Sequence, residues 1–346
     1  MLVCLVRMPL PPSSKRKHCR IAAAAVTLLA SSAIAAENFR YFVSGNPEDV
    51  STITKGLLVL QGGGTDVDEN YVRMGELSGG GDFLVLRASG DDAYNDYILT
   101  LCECDSVETI VFDNRQAAYD AFVIEKIRNA EALFIAGGDQ SRYVRFWKDT
   151  PVEDAIHFVA AKPAPVGGTS AGMAILGQFA YSAMTDDSLV SSAALADPFH
   201  HDLTIEADFL NLAGMEQLIT DQHLIERDRI GRTVALLARL VHDGITAQGR
   251  AIAADRETSI HIDPSSAEVT VYATPDHETP FVYLLQTTAA PDVCSPNQPL
   301  SIANVEVYRL GTDATFNLKT WSGTGGTAYS LKVNAGHLIS SRGDIY

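Results

Sequence analysis

Positive charge is scarce in this 346-residue chain: 26 Lys and Arg stand against 43 Asp and Glu, a formal net charge of −17. A protein that grips nucleic acid must neutralise phosphates, so that class is excluded and no nucleic-acid partner is expected. Cysteine is also sparse. Five occur, and Cys4 and Cys19 fall in the first twenty residues, leaving Cys102, Cys104 and Cys294. Three are too few for a disulfide-built scaffold, and no histidine stands near them at metal-ligand spacing, so no metal is expected. Pairing of Cys102 or Cys104 with Cys294, leaving one thiol, is the expectation. Long apolar runs are missing too, because Ile21–Ala30 is too short to span a bilayer. The triple glycine that follows the first apolar run, Gly62-Gly63-Gly64-Thr65, lacks dinucleotide-loop spacing, and no acid about 20 residues on closes a second strand. No cofactor is expected.

What is present begins with a leader. Lys15-Arg16-Lys17-His18-Cys19-Arg20 precedes the apolar run, and Ser31-Ser32-Ala33-Ile34-Ala35-Ala36 has the small-x-small form of a cleavage site. Residues 1–35 are thus expected to be a signal peptide, and the remainder a secreted or periplasmic protein with no membrane association after cleavage. Residues 1–35 hold five Lys/Arg and no acid, so 21 bases face 43 acids beyond them, a charge of −22.

Short apolar runs then alternate with stretches of helical length. Gly56–Leu60, Asp82–Arg87, Thr109–Phe112 and Ala132–Ala136 read as buried parallel strands. Val67–Leu77, Ala93–Cys102 and Arg115–Ala130 read as the helices between them. Alternation of this kind predicts an α/β fold with a mostly parallel sheet and helices on both faces. Ligand sites in such sheets lie beyond the carboxyl ends of the strands, where Gly62–Gly64, Gly137-Gly138-Asp139-Gln140 and Gly167–Gly172 converge. Residues 177–217 are polar and small, an irregular excursion near the site. From Ser259 onward the texture is that of short antiparallel strands rich in Val, Tyr, Thr and Phe. The expected division is residues 36–288 as an α/β catalytic domain and 289–346 as a linker with a β-rich C-terminal region.

Gly168-Thr169-Ser170-Ala171-Gly172 fits the Gly-x-Ser-x-Gly elbow, in which a strained strand-to-helix turn raises a serine hydroxyl above a sheet. A glycine-rich helix cap is the alternative reading. From Leu218 a short apolar strand ends in Asp221-Gln222-His223, followed by a helix carrying Arg227, Arg229 and Arg232. Asp221 is placed to cap that helix. Arginine forks suit bidentate binding of carboxylates. The plain alternative is an exposed helix whose arginines pair with Glu226 and Asp228.

Taken in order, Leu58-Val59-Leu60-Gln61-Gly62-Gly63-Gly64, Phe134–Gln140, Gly167–Gly172 and Asp221-Gln222-His223 through Arg232 resemble the cyanophycinases, serine peptidases related to dipeptidase E. The resemblance covers roughly residues 55–290. It implies a class-I-glutamine-amidotransferase-like, flavodoxin-like fold. It also implies Ser170 as nucleophile, His223 as base and a glutamate on the following strand. Gln140, Asp221, Gln222, Arg227, Arg229 and Arg232 match positions that shape the substrate pocket. Backbone N–H groups of Ala171 and of Gly138 or Gly137 are the expected oxyanion donors. The implied substrate is cyanophycin, a poly-aspartate backbone with arginine on each β-carboxyl, or a short β-aspartyl peptide. A homodimer is compatible with the family.

One position departs from the pattern. The family's acid follows an aspartate directly, whereas this chain reads Asp255-Arg256-Glu257. Glu257 is the expected third member, with Asp255 as the alternative. An α/β-hydrolase esterase would need the order Ser, acid, His, which the chain does not offer convincingly. A non-catalytic polymer-binding protein is the reading from another class.

Overall fold

The computed structural model describes residues 32–35, 38–185 and 188–346. The expected leader therefore lies outside the described residues, apart from the backbone of Ser32–Ala35. Among the described residues, nineteen strands form two sheets. In chain order the strands are β1 (Ser32–Ala35), β2 (Phe39–Gly45), β3 (Leu57–Gln61), β4 (Asp82–Arg87), β5 (Ser106–Phe112), β6 (Ala132–Ile135) and β7 (Pro165–Thr169). There follow β8 (Phe179–Tyr181), β9 (Ile205–Ala207), β10 (Leu218–Asp221), β11 (Arg250–Ala254), β12 (Thr258–Ile262) and β13 (Glu268–Ala273). The last six are β14 (Val282–Thr287), β15 (Ile302–Leu310), β16 (Thr315–Asn317), β17 (Ser322–Thr324), β18 (Thr327–Asn334) and β19 (His337–Ser340).

The larger sheet runs β1-β2-β5-β4-β6-β7-β3-β12-β13-β16-β17. Its centre, β5 to β3, is parallel throughout, and antiparallel strands flank it on both sides. These central strands are apolar on both faces because both faces are covered. Leu57, Val59, Phe83, Val85 and Phe134 pack on one side with α1 (Asp68–Leu77) and α2 (Asn95–Leu101). Leu58, Leu60, Leu84, Leu86 and Ile135 pack on the other. The strand period of two thus splits one apolar run between two cores.

The second core also holds α3 (Ala121–Asn129), α4 (Gln140–Trp147), α5 (Pro151–Ala161) and one face of the smaller sheet, β19-β18-β15-β14-β11-β10-β8-β9. The remaining face of that sheet is covered by α7 (Ser191–Ala196) and α8 (Ile230–His242), after the one-turn α6 (Ala171–Ala174). The fold is α/β as expected, and the β-rich C-terminal region is present. Its strands continue both sheets: β15, β18 and β19 extend the smaller one, β16 and β17 the larger.

Three local expectations are corrected. Arg115–Ala130 is not one helix, because the Asp120 side chain accepts from Phe122 N at 2.9 Å and starts α3 after a separate 3₁₀ turn, Arg115–Tyr119. Asp221 does not cap α8, which starts nine residues later. Cys102 bonds to Cys104 rather than to Cys294, with Cα atoms 5.2 Å apart. Cys294 could not compete: it packs in the core beneath α8, whereas Cys102 packs in the core under α1 and α2, across the larger sheet. Burial pushes the free Cys294 thiol up to about 11.

Candidate active site

The site forms where the two sheets meet at their strand ends. Ser170 follows β7 of the larger sheet, and His223 follows β10 of the smaller one. Ser170 has φ 51° and ψ −112°, a conformation few non-glycine residues adopt. It is locked from both sides: its N–H donates to the Gln61 carbonyl at 2.9 Å, and its carbonyl accepts from Ala174 N at 2.9 Å. A Cβ on Gly172 would lie 2.0 Å from the Ile135 carbonyl oxygen, so the elbow closes only with glycine there. The sharp turn lifts the hydroxyl out of the sheet. Its Oγ lies 2.8 Å from His223 Nε2.

His223 is itself in the left-handed region, φ 51°, and its N–H donates to the Gly62 carbonyl at 2.9 Å. The ring is buried and lies flush against Gly63, where an added Cβ would come within 2.4 Å of it. Burial lowers the imidazole pKa, as do Arg227 and Arg229, while the hydrogen bond to Glu226 works the other way. The resulting neutral ring is the form that accepts a proton. The Gly137–Gly138 loop reaches the same point, since a Cβ on Gly137 would sit 3.5 Å from Ser170 Cβ. All three glycine segments therefore meet at Ser170 and His223.

The third partner is a different residue from the expected one. His223 Nδ1 lies 2.5 Å from Glu226 Oε2, three residues along the same turn. Glu257 makes no such bond. It sits in a turn, itself left-handed with φ 58°, and its Oε1 accepts from Thr65 Oγ1 at 3.2 Å and lies 3.9 Å from Arg256 Nη1. Asp255 does not reach the imidazole either. Its Oδ1 accepts from the backbone N–H groups of Ile225 and Glu226, both at 3.0 Å, and so holds the turn that carries Glu226. Burial alone would raise the Glu226 carboxyl, but His223, Arg227 and Arg256 together hold it below the usual range. In the sequence this contact is marked by the His-x-x-Glu spacing of His223 and Glu226, where Glu226 reads equally as the ion-pair partner of a neighbouring arginine.

The remaining residues expected around the pocket have unequal surroundings. Arg232 is fully buried, paired with Asp221, donating to Ser188 Oγ at 3.1 Å, and stacked 4.4 Å over Tyr181. Asp221 also accepts from Thr233 Oγ1 at 2.8 Å, so this pair is internally satisfied. Arg229 is buried too, but its contacts are neutral: the Gln222 carbonyl at 2.9 Å and Ser188 Oγ at 2.8 Å. Among the described residues no carboxylate is in ion-pair contact with it, and its Nε has no hydrogen-bond partner. Burial, with Arg232 nearby, lowers its pKa to about 10. Arg227 is half exposed, 3.7 Å from Glu226. Gln222 is buried with Oε1 unpartnered, and Gln140 Nε2 donates to the Tyr181 carbonyl at 3.4 Å. Contacts from Ser188, Leu189 and Tyr181 show that the 177–217 segment does line the site. Among the described residues, one group of three metal-type side chains is close enough to share an ion: His200, His201 and Asp202. None of the three is among the contacts of Ser170, His223 or Glu226.

The description "Peptidase family S51" fits a family model that matches residues 92–200, a span that includes Ser170 and stops before His223. The cyanophycinases of Synechococcus elongatus and Thermosynechococcus vestitus are each 24% identical over 226 residues, 62% of this chain and 61% of theirs. That of Trichormus variabilis is 27% identical over 135 residues, 39% of this chain and 42% of its own. The chain therefore spans about three fifths of the length of the first two relatives. Among solved structures, a peptidase from an acI-B1 actinobacterium has a TM-score of 0.48 at 14% identity, covering 83% of this chain and 98% of that one. These matches agree with the resemblance carried by the motifs: the chain is similar to the S51 peptidases over residues 92–200 and to the cyanophycinases over a longer span.

Proposed function

We propose that this protein is a serine-type peptidase that cleaves cyanophycin through an acyl-enzyme and releases β-Asp-Arg dipeptides. The observation that carries the reading is the 2.8 Å approach of Ser170 Oγ to a neutral, buried His223 Nε2, with Glu226 on the far ring nitrogen. Ser170 Oγ attacks the scissile carbonyl while Nε2 takes its proton. The imidazolium then returns that proton to the leaving amine as the carbon–nitrogen bond breaks. A water deprotonated by His223 releases the acyl group and restores the serine. Glu226 keeps the ring oriented and stabilises its charged form. Backbone N–H groups of Ala171 and Gly138 are the proposed oxyanion donors, each worth ~10²–10³ in rate.

Substrate preference follows from charge. Among the described residues no acid is in contact with the buried Arg229 cation, so a substrate carboxylate is its proposed partner. Arg227 offers a second, half-exposed fork. Arg232 and Asp221 are committed to each other and act as the support of the site. A free carboxylate at Arg229 suits a chain end, which makes the action that of an exopeptidase. Short β-aspartyl peptides present the same carboxylate and are the second substrate class. The leader at residues 1–35 supports export to the periplasm or medium. Among the described residues, no helix is long and apolar enough to cross a membrane.

The test is incubation of the purified protein with cyanophycin and with a β-aspartyl dipeptide, products being read by mass. Release of β-Asp-Arg that disappears in Ser170→Ala supports the proposal. Unchanged release in that variant overturns it, and binding of the polymer without any product favours the non-catalytic reading.

A further inference from the structure

The turn that carries both His223 and Glu226 is held at a point outside the site. Within the turn Arg227 N donates to the His223 carbonyl at 3.1 Å, Asp228 N to Ile225 at 3.1 Å, and Arg229 N to Leu224 at 2.8 Å. Asp228, two residues beyond Glu226, is left-handed with φ 45°. Its carbonyl accepts from Ser191 N and Ser191 Oγ, each at 2.8 Å, which ties it to α7. Its side chain is bonded from the opposite direction: Tyr346 Oη donates to Asp228 Oδ1 at 2.9 Å and accepts from Ile230 N at 3.5 Å. The Tyr346 ring stands edge-on to the buried Tyr283, 6.3 Å between centroids, in the core under α8. Tyr329 Oη, from β18, donates to the neighbouring Ile345 carbonyl at 3.0 Å. The C-terminal strands thus deliver one phenol to the turn.

The Glu226 side chain has little support of its own. It is 37% exposed, and its aim at His223 Nδ1 is set by the backbone of the turn. Asp255 fixes the entry to Glu226 through two N–H groups, and Asp228 fixes the exit. We propose that Tyr346 is a positioning residue: its hydroxyl latches Asp228, so the turn keeps Glu226 Oε2 on His223 Nδ1 and the base ready for Ser170. This role for the C-terminal β region rests on the peptidase reading above. It explains why a region remote in sequence from every catalytic motif closes on the turn between His223 and α8. Burial, and then the Asp228 carboxylate, raise the Tyr346 phenol, so it stays a donor throughout the working pH range.

The test uses a fluorophosphonate probe, which reports activation of Ser170 without assuming a natural substrate. The full chain, Tyr346→Phe, Asp228→Gly, the double variant and Asp228→Asn are labelled across pH 4–9, a range of about 5 units around the reference histidine value. Glycine suits the left-handed position and removes the acceptor, whereas asparagine suits it and keeps one. Tyr346→Phe and Asp228→Gly are each expected to slow labelling about tenfold, inside the ~10²-fold that a 1 Å misplacement can cost. The acid midpoint of the labelling profile moves down in both, because His223 loses the contact with Glu226 that raises it. The double variant is no slower than either single one, and Asp228→Asn keeps the wild-type rate. Should Tyr346→Phe fail to fold, Asp228→Gly and Asp228→Asn carry the same contrast. Equal rates and midpoints in wild type and variants, or losses that multiply in the double variant, overturn the latch while leaving the peptidase reading in place. A wild-type protein that does not label at Ser170 overturns both.

Discussion

Ser170 Oγ and His223 Nε2 lie 2.8 Å apart although the two residues end strands of different sheets. No hydrogen-bonded ladder joins β7 to β10. Their relative position is set by the Gln61-Gly62 segment at the end of β3, whose carbonyls accept from Ser170 N and His223 N in turn. A dyad assembled this way depends on backbone geometry at a few residues, and the consequences can be measured.

Glu226→Gln is expected to lower kcat by ~10²–10⁴, because glutamine neither fixes the productive tautomer nor stabilises the imidazolium. Glu257→Gln is expected to stay within about threefold of wild type, since its carboxylate bonds to Thr65 and not to His223. Parallel kcat measurements on the two variants decide which acid serves the base. A loss confined to Glu257→Gln sinks the assignment.

The pH profile of kcat/KM carries a second prediction. In the proposed mechanism activity requires neutral His223, and burial lowers its folded-state pKa. The acid limb should therefore have its midpoint below ~6.5, the value of an unperturbed histidine. Glu226 raises the His223 pKa, so Glu226→Gln moves the limb lower still, while Arg229→Gln removes a repelling cation and moves it up. A limb above the unperturbed value in the wild-type protein contradicts this electrostatic picture.

Asp221→Ala should destabilise the fold by about 3–5 kcal/mol, the usual penalty for removing one member of a buried ion pair. Arg232 is wholly buried, and its remaining contacts, Ser188 Oγ and the Leu189 carbonyl, are uncharged. Denaturant midpoints check the size of the effect. A loss below about 1 kcal/mol, the range of exposed pairs, shows that the pair is not the support proposed here.

Much of this architecture is legible in the residues. Leu57–Leu60, Phe83–Leu86 and Leu133–Ile135 are continuously apolar because each faces two cores, and glycines follow the strands where Ser170 and His223 meet. The acid that meets His223 Nδ1 is not legible in the same way. The positive φ of His223 and Asp228, neither of them glycine, folds residues 223–229 into a turn rather than the first turns of a helix. That turn brings Glu226 beneath Nδ1, and no periodicity announces it. The destinations of β15 to β19 are hidden for another reason. Val, Tyr and Thr mark a strand, but pairing across two sheets is set by contacts far apart in sequence.

Gly63 offers the cleanest separation of fold from chemistry. It has φ +107°, and an added Cβ would lie 2.4 Å from both Cε1 and Nε2 of the His223 ring. The carbonyls on either side are engaged: Gly62 O accepts from His223 N and Gly63 O from Glu257 N at 2.6 Å, so the loop cannot withdraw without breaking them. In Gly63→Ala the ring has to move instead, and the side it moves from is the one bonded to Ser170. The three atoms nearest that added Cβ all belong to the His223 ring, none to a core side chain. The variant should therefore unfold within about 2 kcal/mol of wild type, the strain of one left-handed alanine, while turnover falls by ~10² or more. Thermal unfolding measured beside fluorophosphonate labelling of Ser170 tests the pair of expectations. Full labelling in Gly63→Ala means that His223 does not sit against this glycine when the enzyme works.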